Sequence, residues 1–110
     1  NALITVGYSN GANIASAMML LGVLKAHGAI LFRPMVPLSR PPQQSLGGCE
    51  VLISGGRFDP IATPAQVNAL AGLLRERKAQ VDIRMQESGH QLTDRDVETA
   101  RDWLAPSAVA

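Results

Sequence analysis

Residues 7–11 read Gly7-Tyr8-Ser9-Asn10-Gly11 and interrupt the most hydrophobic part of the chain, between an apolar run over Ala2–Val6 and a second from Ala12 to Leu24. Two glycines and a serine between buried elements mark a turn. Leu3–Val6 is short, continuous and rich in β-branched residues, which predicts a strand buried on both faces. From Gly11 to about Ala26 no charge occurs before Lys25, which predicts a helix closed by Gly28. A strand that turns sharply into a helix brings the residues two before and two after the apex together. Only small side chains fit there, the expected reason for Gly7 and Gly11. Ser9 at the apex is expected in a strained backbone conformation, its hydroxyl clear of the sheet edge. The helix behind it supplies partial positive charge and free N–H groups, and the N–H of Asn10 is the expected oxyanion donor.

Working outward, elements alternate along the whole chain. Ala29–Phe32 predicts a second strand. The loop that follows, RPMVPLSRPPQQSLGG, is broken by Pro34, Pro37, Pro41 and Pro42. Glu50–Ser54 predicts a third strand. Thr63 and Pro64 stand in the order of an N-cap and first helical residue, and Val67, Leu70, Ala71 and Leu74 recur on one helix face. Val81–Met85 alternates apolar and polar residues, as a half-exposed strand does. A last helix opens at Thr93 with Asp96 as an approximate capping box, turning Val97, Ala100 and Leu104 inward with Trp103 at its margin. The expectation is an α/β fold of about four parallel strands and three helices, with residues 1–104 in one domain and 105–110 as a tail.

Bulk properties narrow the function classes. The chain has 110 residues, 46% hydrophobic and 17% charged, with a net charge of +1. It carries no basic patch interleaved with aromatics, so no nucleic-acid partner is expected. Arg75, Arg77 and Lys78 cluster where cations offset a helix dipole. The single cysteine, Cys49, excludes an intrachain disulfide and suits a reducing compartment; it reads as a small packed side chain. The run from Ala12 to Leu24 is too short to span a bilayer, no signal peptide is visible, and no membrane partner is expected. Met18, Met19, Leu20 and Leu21 read as core filler. No cysteine pair, histidine pair or dense carboxylate run suggests a metal. The turn lacks G-x-G-x-x-G, which excludes a dinucleotide fingerprint.

Chemistry concentrates in three loops. The pentapeptide fits G-x-S-x-G between a strand and a helix. A serine hydroxyl stays protonated and needs a base, which needs an orienting acid. Of the two histidines, His27 is expected at the end of the first helix, against its last carbonyls, while His90 lies in the loop ESGHQLT after the last strand. Asp59 lies in SGGRFDPIAT after the third strand, where an aspartate before proline also serves as a turn residue. Asp82 and Glu87 are alternative orienters of His90, the first mid-strand and the second too near in sequence. Asp94, Asp96, Glu98 and Asp102 are expected to be mostly solvated. Serine, aspartate and histidine follow successive strand ends in the order found in α/β-hydrolases.

The stretches GYSNGANIA, RPMVPL, GGRFDPIATPAQ and SGHQLT together resemble the phospholipase/carboxylesterase group of α/β-hydrolases, near its dienelactone-hydrolase-like bacterial carboxylesterases. The resemblance implies Ser9 as nucleophile, Asp59 as acid and His90 as general base. It also implies cytoplasmic hydrolysis of small carboxylic esters or thioesters without a cofactor. Dienelactone hydrolases proper carry cysteine at the apex, and serine here argues against that chemistry. Members of the group begin well upstream, with a His-Gly-rich loop that gives a second oxyanion donor; that N-terminal half is absent here. The apolar first strand and helix likewise suggest a piece of a larger fold or an edge covered by another subunit, as in a homo-oligomer. The alternative reading is a catalytically incomplete fragment that serves as a self-associating structural module.

Overall fold

The computed structural model describes residues 3–38 and 41–105. Its order is β1 (Ile4–Tyr8), α1 (Asn10–Leu20), β2 (Gly28–Phe32), β3 (Glu50–Gly56), α2 (Pro64–Glu76), β4 (Gln80–Gln86) and α3 (Asp94–Leu104). The strands form one parallel sheet in the order β1-β2-β3-β4, the α/β arrangement expected from the alternation. Apart from Ala105, the expected tail lies outside the described residues.

Strand periodicity divides the core in two. Ala29 and Leu31 of β2 and Val51 and Ile53 of β3 meet α1 and α2. Ile30, Phe32 and Leu52 point the other way, to Ala100 and Trp103 of α3. Thr63 caps α2 by accepting the Gln66 N–H, Pro64 opens it, and Val67, Leu70, Ala71 and Leu74 are buried as their spacing predicts. Full burial of each of the larger side chains stabilises by about 1.5–3 kcal/mol. Among its described residues the link from β2 to β3 has no helix, and side chains accept from two of its backbone N–H groups. Asn13 Oδ1 accepts from Met35 at 2.8 Å, and Gln66 Oε1 accepts from Val36 at 3.0 Å.

Several expectations are corrected. The strand before the turn runs to Tyr8, and it is not buried on both faces: Val6 is 60% exposed. Its place at the sheet edge leaves one side uncovered. α1 ends at Leu20, not near Ala26, because Gly22 takes φ 76 and its N–H turns back to the Met19 carbonyl at 3.0 Å. Gly28 therefore begins β2. His27 caps no helix: its Nδ1 accepts the Leu3 N–H at 3.1 Å. Met18 and Leu21 are exposed, so only Met19 and Leu20 fill the core. In α3 the inward residues are Asp96 and Ala100 with Trp103 packed beside them, while Val97 and Leu104 face out. Ala100 faces inward as expected, and Asp96 takes the inward place expected of Val97.

Candidate active site

β1 delivers Ser9 at its C-terminal end, and the backbone there is strained. Ser9 has φ 55 and ψ −115, a region that non-glycine residues occupy at a cost of about 1–3 kcal/mol. Two backbone hydrogen bonds hold it where the strand gives way to the helix. Its N–H donates to the Phe32 carbonyl at 2.8 Å, its carbonyl accepts the Asn13 N–H at 2.9 Å, and α1 starts at Asn10. The first N–H groups of α1, that of Asn10 included, have no intrahelical acceptor and carry the positive end of the helix dipole. The two glycines of the turn differ. A Cβ on Gly7 would lie 2.6 Å from the Ala12 nitrogen and from the Gly11 carbonyl group, so Gly7 is sterically required. A Cβ on Gly11 meets nothing within 4 Å, which corrects the expectation that crowding requires glycine there too.

Asp59 follows β3 and is buried. One carboxylate oxygen, Oδ1, accepts the N–H groups of Ile61 at 2.8 Å and Ala62 at 3.0 Å. This is the turn role an aspartate before proline was expected to have. The other oxygen, Oδ2, lies 2.7 Å from His90 Nδ1. His90 Nε2 lies 2.9 Å from Ser9 Oγ. A continuous chain of hydrogen-bonding groups therefore runs Asp59–His90–Ser9 across the ends of three strands. The turn and orienting roles of Asp59 are compatible because they use different oxygens.

The histidine loop is fixed from several sides. Tyr8 Oη donates to the His90 carbonyl at 2.9 Å, and the two rings lie 5.7 Å apart between centroids. The Phe58 N–H donates to the Ser88 carbonyl at 3.0 Å, tying the Asp59 loop to the His90 loop. The alternative orienters are engaged elsewhere: Asp82 with Arg84 at 2.8 Å, and Glu87 with Arg57 at 3.4 Å. Cys49 is buried in the core, and burial, aided by the nearby Glu50 charge, pushes its thiol pKa up. That suits a packed side chain. Among the described residues no group of three His, Cys, Asp or Glu side chains gathers to hold a metal ion, and no helix is long and apolar enough to cross a membrane.

Two polar residues beside this site were missed in sequence. Arg33 and Asp96 are both fully buried and form a bidentate ion pair, Nη1 to Oδ1 at 2.6 Å and Nη2 to Oδ2 at 2.9 Å. Asp96 is thus not solvated as expected. Burial alone would raise its pKa, but hydrogen bonds from Arg33, Ser54 and Thr93 outweigh it and hold the carboxyl below the ordinary range. The expected capping box is present as well, with Asp96 Oδ2 accepting the Thr93 N–H at 2.8 Å. The available signal was Arg33 directly after an all-apolar strand, with nothing local to pair with it.

Comparison with known proteins gives this geometry a context. No protein-family model matches the chain. MhqD of Bacillus subtilis, which carries a hydrolase name, is 40% identical over 109 residues, covering 97% of this chain and 54% of that protein. The crystal structure of a carboxylesterase from Mesorhizobium loti is 42% identical with a TM-score of 0.84, covering 92% of this chain and 48% of that one. A Bacillus cereus carboxylesterase structure is 40% identical with a TM-score of 0.83, covering 91% and 47%. The chain spans about half the length of these relatives. In sequence and in fold the chain is similar to bacterial carboxylesterases over about half of their length, and the resemblance read from the motifs stands at that level.

Proposed function

We propose that the protein hydrolyses small carboxylic esters or thioesters through Ser9, His90 and Asp59, by way of an acyl-enzyme. The observation that carries this reading is the pair of short contacts on the two nitrogens of one imidazole, 2.9 Å to Ser9 Oγ and 2.7 Å to Asp59 Oδ2. In the first step His90 Nε2 takes the Ser9 proton as Oγ attacks the ester carbonyl carbon. Asp59 accepts from Nδ1–H, which fixes the tautomer and favours the imidazolium that forms. The Asn10 N–H, at the positive end of α1, donates to the oxyanion. His90 then protonates the leaving alcohol or thiol, and water repeats the sequence on the acyl-enzyme. The names of the relatives support a hydrolase of ester type.

The reaction needs no cofactor in this scheme. A cytoplasmic setting follows from the resemblance and fits the lone cysteine. The apolar edge strand, with Ile4 and Val6 exposed, is read as a face covered by further polypeptide, either a second copy or additional length of the same protein that also brings a second oxyanion donor. The chemistry is tested by turnover of a short-chain p-nitrophenyl ester and of an acyl thioester by the purified protein and by Ser9→Ala. Hydrolysis that vanishes in Ser9→Ala supports the reading. Equal rates in the two, or none in either, overturn it.

A further inference from the structure

The largest fully buried side chain among the described residues is a charged one, Arg33. It directly follows β2 with φ 55, a conformation that a non-glycine residue keeps only when its surroundings impose it. Its guanidinium reaches the histidine loop on both sides of His90. Nε donates to the Gly89 carbonyl at 2.9 Å and Nη2 to the Gln91 carbonyl at 3.2 Å. Nη2 also donates to Ser88 Oγ at 2.9 Å. On its other side the guanidinium is anchored by the Ser54 carbonyl at 3.0 Å and by both oxygens of Asp96. Asp96 is held in turn by Ser54 Oγ at 2.5 Å and by the N–H and hydroxyl of Thr93, each at 2.8 Å.

Two further features bind this network to the site. A Cβ on Gly56 would lie 2.2 Å from the Gly89 carbonyl oxygen and 2.7 Å from that of Ser88, so the loop is seated directly on the β3 backbone. The Phe32 carbonyl, one residue before Arg33, accepts the Ser9 N–H. The end of β2 therefore holds the Ser9 backbone through one residue and the His90 loop through the next.

We propose that the buried Arg33–Asp96 pair is a positioning device, which fixes the backbone on either side of His90 so that one imidazole reaches Ser9 and Asp59 together. The inference rests on the triad reading above. A buried ion pair is poor evidence of stabilisation, since apolar side chains of similar volume often serve as well. What it supplies here is direction. A planar five-donor fork, locked by a bidentate carboxylate, sets the angle of each carbonyl it holds as well as the distance. Lysine keeps the charge and loses the fork. Proton transfer demands that directionality, because a displacement of about 1 Å costs roughly a hundredfold in rate.

The test compares the purified protein with Arg33→Lys, Asp96→Asn and Ser88→Ala. Readouts are kcat and KM for an ester, folding by circular dichroism, and the downfield proton resonance of His90 Nδ1–H. In Arg33→Lys and Asp96→Asn the proposal expects kcat to fall up to about a hundredfold. KM stays near wild type, and the downfield resonance is lost while the fold persists. Ser88→Ala removes a single contact on the part-exposed loop, and a few-fold fall in kcat with a shifted resonance is expected; it carries the test if the buried variants do not fold. Arg77→Lys, a change at a buried arginine remote from the loop, leaves kcat unchanged. Folded variants of the pair with wild-type kcat and an unmoved resonance overturn the proposal. If the wild type hydrolyses no ester, the triad reading fails first, and the resonance alone still shows whether the pair sets the His90–Asp59 contact.

Discussion

The two ends of this sheet each bury an arginine, and they use it differently. At the N-terminal end Arg77, the C-cap of α2, donates hydrogen bonds to neutral carbonyls, and the exposed Glu76 carboxylate lies 3.8 Å from its Nη1. Nε donates to the Pro42 carbonyl at 2.9 Å, Nη2 to Pro41 at 3.0 Å and Nη1 to Leu73 at 2.8 Å. At the C-terminal end Arg33 meets a buried carboxylate and a loop that carries a histidine. The first arrangement pins a proline-rich link to a helix end, where the helix dipole favours a cation. The second confines a charge pair in the interior beside two strained backbones, Ser9 and Arg33. Left-handed backbone occurs at both ends, with Lys78 at φ 77 beside Arg77, but the buried ion pair lies at the C-terminal end, where sites in parallel sheets form.

Replacing each arginine by methionine sharpens the contrast most. Arg33→Met leaves Asp96 buried without its partner and is expected to cost about 3–5 kcal/mol. Arg77→Met leaves neutral carbonyls unpaired and is expected to cost about 1–3 kcal/mol; both are read from chemical denaturation. The Asp96 pair also gives stability a pH dependence. Its folded pKa lies below the unfolded value near 3.8, so its contribution is present above that pH and is lost as pH falls through the folded pKa. Asp96→Asn lacks this component of acid destabilisation, whereas Arg77→Met retains it. An identical acid profile for wild type and Asp96→Asn contradicts the pairing.

The glycines of the turn give a smaller, local version of the same comparison. Gly7→Ala forces a methyl against backbone at 2.6 Å and is expected to destabilise by about 1–3 kcal/mol. Gly11→Ala places its methyl in open space on a helix and is expected to be neutral or stabilising by up to about 1 kcal/mol. Thermal melts of the two variants measure the difference. Destabilisation by Gly11→Ala would contradict the open space at that position.

What sequence could reveal followed the range of each interaction. The parallel α/β order, the Thr63–Pro64 helix start and the Thr93–Asp96 capping box rest on neighbouring residues and were legible. Ser9, Asp59 and His90 were legible as candidates because each falls in a loop after a strand, although nothing local fixes their distances. Arg33 and Asp96 were not, since a charged residue is rarely buried unless paired and their pairing spans 63 positions. The role of Asp96 as a helix cap, true in itself, hid its role as a partner. Burial of the first strand was misjudged for a related reason: sheet order, which no strand encodes alone, put it at an edge.

The central claim is that the imidazole of His90 activates the Ser9 hydroxyl, and reaction with a fluorophosphonate tests it most directly. Mapped by peptide mass, the adduct is expected on Ser9, with its formation lost in His90→Ala. No adduct on Ser9, or an adduct that forms as fast in His90→Ala as in the wild type, would contradict it.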